Sequence, residues 1–491
     1  VEHPQQPAAG PRPVTPRHRP RLASLLAAAI VLGLVPGSVA AAAKAARFEP
    51  VPGASGIGDP YFPDDGNGGL DVRHYAIHDT YGLESRRLSG HTTLTVRATQ
   101  DLSRFDLDLL LPVRSVSVDG RRARFTKPSP HELRVTPAVP LPSGATFVVR
   151  VSYAGRPGTI TQDGERNWLA DDHEVVAMNE PHMAPWWFPA NDHPLDKASM
   201  DIHISVPRRE RVIANGVRVS RHVHGRRATT HWHASEPMAP YLAFFAAGRF
   251  AVRHGRHRGL PWYVAVSKAV PQPTRARSMG LMRRTPELVD WLERQLGDYP
   301  FSATGGLTTS LSPGFALENQ TRPTYPVLSA GSLTTVVHEL AHQWFGDSVS
   351  VAGWRDIWLN EGAATFMEVR YAETHGGESG RRWLDRVYDT LAHDKVFWDL
   401  VVADPGPTRI FDWSVYERGA MTLQALRQRI GEEDFWLLLR TWLADRRDGN
   451  GSTEDFEALA EQLSGEDLAA FFDAWLTTRT RPERTAENGL L

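Results

Sequence analysis

Two histidines four residues apart, in His338-Glu339-Leu340-Ala341-His342, can reach one cation only if the chain between them is helical. Four residues is just over one helical turn, so both imidazoles then share a face. Val336, Val337, Leu340 and Trp344 give that helix an apolar side to bury. A catalytic cation site also needs a third protein ligand and an open position. Glu361, nineteen residues past His342, meets that need if a second helix returns antiparallel to the first. A pair of solvated histidines on an amphipathic helix is the plain alternative, and the joint spacing of the three residues argues against it.

A set of two histidines and one glutamate suits zinc, and one ion is expected. Zinc in such a site polarises a scissile carbonyl and acidifies a water. Glu339, beside a ligand but not one itself, is placed to carry that water's proton to a leaving amine. Thr365 and Glu368, four and seven residues after Glu361, share its helix face and are candidates for orienting the ligands.

At 491 residues the chain is long enough for two to four domains. Lys plus Arg is 55 against 57 Asp plus Glu, which argues against a nucleic-acid partner. The absence of Cys excludes disulfide scaffolds, thiol nucleophiles and thiolate metal sites. A basic run (Arg17 to Arg21), an apolar run (Leu22 to Val35) and small residues up to Ala40 have the pattern of a signal peptide. Residues 1–40 are therefore expected to direct secretion, and no later segment is long and apolar enough to form a stable membrane span. Residues 41–69, rich in Gly, Pro and Asp, are expected to be a disordered linker.

Short alternating runs such as 91–99, 146–155 and 200–207, with turn signals at Asp119-Gly120 and Asn215-Gly216, predict an antiparallel β domain over 70–255, a saddle or sandwich. From 256 to 478 helical periodicity takes over, with a small strand region near 300–325, and 479–491 reads as a tail. The fold class is α+β, multidomain. Four histidines, His222, His224, His231 and His233, lie on one expected hairpin. With no carboxylate or Cys in that run, they read as the polar outer face of a solvated hairpin.

HELAHQWFGD followed by WRDIWLNEGAATFME resembles the gluzincin metallopeptidases of the aminopeptidase N family, which includes leukotriene hydrolase-like enzymes. Residues 179–202, 296–301, 415–427 and 464–476 resemble further family segments in the same order. The resemblance implies a thermolysin-like catalytic domain over 256–478. It implies His338, His342 and Glu361 as zinc ligands and Glu339 as general base. Tyr416 is implied as donor to the tetrahedral oxyanion. Glu318 falls on the glutamate of the family's Gly-x-Met-Glu-Asn motif, which holds a substrate's free α-ammonium, and Glu180 matches a second residue on the same group. Gly314, Phe315, Ala316, Leu317 and Asn319 then belong to the substrate-binding segment.

The chain departs from the pattern in three places. Phe315 stands where the family has Gly, Leu317 where it has Met, and His193 where Asp-Glu-Pro has its Glu. Phe315 is expected to bear on preference at the first pocket. The sequence ends shortly past the catalytic domain, without the helical C-terminal domain of many relatives, so a cleft more open on one side is expected. Taken together, the expected activity is a secreted zinc aminopeptidase acting on peptides with a free N-terminus. A thermolysin-type endopeptidase, a hydrolase of another bond such as an epoxide, and a non-catalytic binding module are the alternatives. Oligomeric state has no signal in the sequence.

Overall fold

Residues 48–491 are described by the computed structural model, and the expected signal over 1–40 lies outside the described residues. Eight strands form the main sheet: β1 (Leu70–Gly82), β2 (Arg87–Ala98), β3 (Val113–Val118), β4 (Arg121–Arg122), β5 (Thr146–Gly155), β6 (Ala198–Pro207), β7 (Val217–His224) and β8 (Arg227–Met238). Their order is β7-β8-β6-β1-β2-β5-β3-β4. Every pair is antiparallel except β1 with β6. That pair is parallel because a long excursion separates the two strands, and parallel neighbours need a crossover. Alternation sends Tyr75, Ile77, Leu94, Val96, Ile202, Ile204 and Trp232 into the core. Two smaller four-stranded sheets share that core.

The second domain opens with a four-stranded sheet of β9 (Phe250–His257), β10 (Leu260–Ser267), β11 (Thr304–Thr308) and β12 (Thr324–Tyr325). The boundary expected between 255 and 256 would cut β9, which pairs along its length with β10, so the break belongs before Phe250. Helices follow. Three matter most: α1 (Leu333–Ala341), α2 (Trp358–Thr374) and α3 (Trp413–Ile430). No helix among the described residues is long and apolar enough to cross a membrane.

Two segments expected to be loose are packed. In the expected linker 41–69, the part from 48 onward is ordered by buried acids. Asp59 accepts from the Trp354 backbone N–H at 3.0 Å and faces His193 Nε2 at 3.2 Å. Asp65 meets His182 Nε2 at 2.8 Å, and Asn67 donates to Asp108 at 3.0 Å. His193, at the departed Glu position, is fully buried and has Asp59 as its partner, so this histidine and this segment belong together. The expected tail 479–491 is also held, because Leu490 is buried and the Trp475 indole donates to the Asn488 carbonyl at 3.2 Å. Composition marked the first of these segments as loose, but a polar segment stays ordered when its acids find buried donors.

The two domains meet through specific polar contacts. The Lys197 ammonium donates to the carbonyls of Asp347, Ser348 and Gly449 at 3.0, 2.8 and 2.9 Å, immediately beyond the turn that ends α1. Three acceptors satisfy all three of its donors, which a buried ammonium requires.

Candidate active site

α1 buries Val336, Val337 and Leu340 and turns His338, Glu339 and, at its end, His342 to the other side. The outer nitrogens of both imidazoles are engaged. His338 Nδ1 lies 2.9 Å from Glu368, and His342 Nδ1 lies 3.0 Å from the Phe345 carbonyl. Both partners are acceptors, so each Nδ1 carries the proton and each Nε2 keeps its lone pair. Those two Nε2 atoms converge on one oxygen of Glu361, at 3.3 and 3.4 Å. Tetrahedral bonds of about 2.0–2.1 Å put neighbouring ligand atoms roughly 3.4 Å apart, so both histidine–Glu361 spacings match zinc, and all three donor atoms lie within 4.8 Å of one another. Burial raises the Glu361 carboxyl, but His342 and His338 outweigh it when they carry a second proton on Nε2, the form that Glu361 beside them favours, and hold the group at about 2. Glu339 is buried against the same cluster, with an oxygen within 4.8 Å of ligand atoms on Glu318 and His342. Burial pushes its carboxyl up to about 8, against the pull of His338 and His342.

Glu361 and Tyr416 come from helices whose backbones touch. A Cβ built on Gly362 of α2 would meet Gly419 of α3 at 2.8 Å, and one built on Gly419 would stand 2.9 Å from the Gly362 Cα. Only paired glycines permit that crossing. It places the Tyr416 ring almost parallel to His338, with centroids 6.1 Å apart. Asp412 caps α3 by accepting from the Ser414 N–H at 3.0 Å, which fixes the turn that carries Tyr416. Gly419→Val is expected to force the helices apart and to destabilise the protein by about 1–3 kcal/mol. Because Glu361 adjoins the contact, zinc retention should fall as well. Urea unfolding and metal content measured on the same sample check both.

The segment 314–320 is not the strand expected of it. Only Leu317 bridges, exchanging backbone hydrogen bonds with Thr324 at 2.8 and 2.7 Å. Beyond it the chain turns sharply. The Arg322 N–H donates to the Asn319 carbonyl at 2.8 Å, and Thr321 takes φ +67°. Gln343 anchors this turn, donating to the Glu318 carbonyl at 2.9 Å and accepting from the Thr321 N–H at 2.7 Å. The β domain grips it too, since the Gly216 N–H donates to the Thr321 hydroxyl at 2.7 Å.

A cavity of about 370 Å³ joins these parts. Asn179, Glu180, Phe315, Ala316, Leu317 and Glu318 line it, with His338, Glu339, His342, Glu361, Phe411 and Tyr416. No lysine or arginine is among them. Glu318 is buried and accepts from the Tyr241 hydroxyl at 3.2 Å. One carboxylate oxygen of Glu180 is buried with no hydrogen-bond partner among the described residues. Burial first, then the charge of neighbouring carboxylates, raises Glu180 well above the usual range, and burial raises Glu318, against the pull of His342.

Three expected site residues stand elsewhere. Asn319 is buried and donates to the Leu242 carbonyl at 3.1 Å, so it ties the turn to the β domain rather than facing the cavity. Gly314 is exposed outside the lining, at φ +91°, where it bends the chain toward Phe315. Thr365, unlike Glu368, makes no hydrogen bond to the ligand side chains. Tyr241, Gln343, Asn179 and Phe411 were not foreseen. Gln343 follows His342 in the turn just past α1 and points to the 318–321 turn. Asn179 opens the recognised segment 179–202 without a spacing that marks it, and Tyr241 and Phe411 sit in segments without a local motif.

Residues 314–475 match the peptidase family M1 domain, and residues 160–242 match the peptidase M1 N-terminal domain. Glutamyl aminopeptidase of Bos taurus is 30% identical over 364 residues, covering 67% of this chain and 36% of the relative. Tricorn protease-interacting factor F2 of Thermoplasma acidophilum is 25% identical over 325 residues, covering 62% of this chain and 40% of the relative. The chain thus spans well under half the length of these curated relatives. Among solved structures, a glutamate-to-alanine mutant of an M1 zinc metallopeptidase from Deinococcus radiodurans, bound to a Tyr-Ser-Ala substrate, superposes with a TM-score of 0.80 at 30% identity. The match covers 87% of this chain and 99% of that one. The same enzyme without the mutation gives a TM-score of 0.77 over the same shares. With both domain models matched in order and a solved relative covered almost end to end, this chain belongs to peptidase family M1, the zinc metallopeptidases.

Proposed function

We propose that this M1 peptidase is an aminopeptidase, removing the N-terminal residue from peptides. The observation that carries the reading is the pair Glu180 and Glu318. The carboxyl of Glu318, which is buried, and that of Glu180, with one oxygen buried and unpartnered among the described residues, line a cavity that has no lysine or arginine, beside the residues that would hold zinc. A substrate α-ammonium supplies the missing cation, and an interior peptide bond offers none. The name of the glutamyl aminopeptidase relatives supports the same class.

His338, His342 and Glu361 would hold zinc, which when bound acts as a Lewis acid on a carbonyl and lowers the pKa of a water. The chain's own groups do the rest. Glu180 and Glu318 hold the ammonium and so set the scissile bond one residue away. A Glu339 carboxylate oxygen accepts the proton of the attacking water and delivers it to the leaving amine nitrogen. The Tyr416 hydroxyl donates to the oxygen that gains charge. Phe315, 42% exposed, and Phe411 at the rim give the first residue of the substrate an apolar neighbour. The basic-then-apolar pattern of residues 17–35 adds the proposal that the enzyme acts after export.

The test compares a free peptide with its N-acetylated form, in the native chain and in Glu318→Gln. The blocked peptide should remain uncut. Glu318→Gln should lose roughly 10–200-fold in kcat/KM on the free peptide, the worth of a hydrogen bond to a charged group of about 1.5–3 kcal/mol. Equal cleavage of the blocked peptide points to the endopeptidase reading instead.

A further inference from the structure

The outer face of the main sheet carries a row of histidines unrelated to the cavity. Register pairs His91 of β2 with His78 of β1, His78 with His203 of β6, and His203 with His231 of β8. Their rings stack in sequence, at centroid distances of 4.9, 4.2 and 3.9 Å and interplanar angles of 9, 8 and 14°. Asp201, two residues before His203 on β6, points to the same face. It meets His231 Nε2 at 2.6 Å, His233 Nδ1 at 2.9 Å and His74 Nε2 at 3.3 Å. The opposite side of these strands, with Ile77, Ile202, Ile204 and Trp232, is the apolar core.

We propose that Asp201, His203 and His231 form a second site for a divalent transition metal of the zinc, nickel and copper class. Each offers a ligand atom, and the three atoms lie within 4.8 Å of one another. Bonds of about 2.0–2.2 Å need ligand atoms roughly 3.4 Å apart and both ring planes aimed at the ion, so binding would turn His203 and His231 out of their stack. Neither nitrogen of His203 has a hydrogen-bond partner among the described residues, so only its stacking on His78 and His231 must yield for the ring to turn a lone pair inward. Imidazole and carboxylate donors together suit borderline metals and disfavour magnesium and calcium. The ladder between β6 and β8 fixes Asp201 and His203 on one strand and His231 directly across on the next. His233 and His74, already on Asp201, orient its carboxylate and stand near enough to extend the set. All three ligands are half-buried, open to an ion from solvent. None of them lines the catalytic cavity.

The hairpin histidines fit the expected polar outer face in part, since His222 and His224 are exposed. The carboxylate missing from their own run is supplied by Asp201 on the neighbouring strand.

The experiment loads the full chain with zinc, desalts it and measures metal per chain, with peptide hydrolysis assayed in parallel. About two ions per native chain are expected, falling to about one in the His203→Gln/His231→Gln double variant, with hydrolysis unchanged. His342→Ala should also hold about one ion, now at the β-domain site, and should lose hydrolysis. Asp201→Asn, which keeps shape and removes charge, should lose the second ion as well, and it serves if the double variant does not fold. A native chain holding a single zinc, or a second zinc retained in both β-domain variants, overturns the proposal.

Discussion

Replacing Glu339 with Gln is expected to leave zinc content unchanged and to lower kcat by about three to four orders of magnitude. The figure follows from the reach of general-base catalysis, about 10²–10⁴-fold, taken at its upper end because Glu339 itself is buried. Glutamine keeps the side chain's volume, so the helix α1 and its two histidines have no reason to move. It cannot accept the proton of the attacking water, nor return it to the amine. In free energy the loss is about 4–5.5 kcal/mol, at roughly 1.4 kcal/mol per decade. Glu339 makes no hydrogen bond to His338 or His342 that could explain such a loss, since those rings are held by Glu368 and the Phe345 carbonyl. Metal analysis alongside single-turnover kinetics checks both halves. Near-normal turnover with zinc in place would refute the general-base role.

Tyr416→Phe is the second large effect. The Tyr416 hydroxyl has no hydrogen-bond partner among the described residues, although the ring lines the cavity and lies against His338. Burial first, then the carboxylates of Glu361, Glu180, Glu318 and Glu339, raises its phenol well above the ordinary value, so it stays a donor. A donor aimed where charge develops contributes mostly in the transition state, and losing it costs about 10²–10³ in kcat, or roughly 2.7–4 kcal/mol. KM should change little, because the ground-state carbonyl gains less from the same bond. Phenylalanine preserves the ring and its packing, so stability and zinc content should match the native chain. A rise in KM with kcat unchanged would assign Tyr416 to substrate binding instead.

The catalytic centre could be read from the sequence where its geometry is local. His338 and His342 lie one turn apart, so helical periodicity alone aims them together. Glu368 could be found the same way, two turns beyond Glu361. Thr365 shares that logic and makes no such contact, because sharing a face does not guarantee reaching a ligand. Asn319 shows a second limit. It neighbours Glu318 in sequence, yet the sharp turn through Thr321 directs it to the Leu242 carbonyl. Tyr241 reaches Glu318 from the β domain, 77 residues away, and no local pattern announces it. The segment 48–69 was misjudged for a related reason. Its Asp, Asn and Gly content signals disorder only if those polar groups find no buried partners, and Asp59, Asp65 and Asn67 each find one.

By itself the sequence determined the helix that carries His338, the helical return that carries Glu361 and the order of the two domains, and it proposed the donor set. Each of these depends on spacing within a helix or alternation along a strand, and both periods are properties of the backbone. Tertiary structure decided the remainder. It set the crossing of α2 and α3 at Gly362 and Gly419, the pairing of Glu180 with Glu318 across two domains, and the meeting of Asp201 with histidines from neighbouring strands. Those arrangements join residues distant in the chain, and only packing and strand register bring them within ångströms of each other.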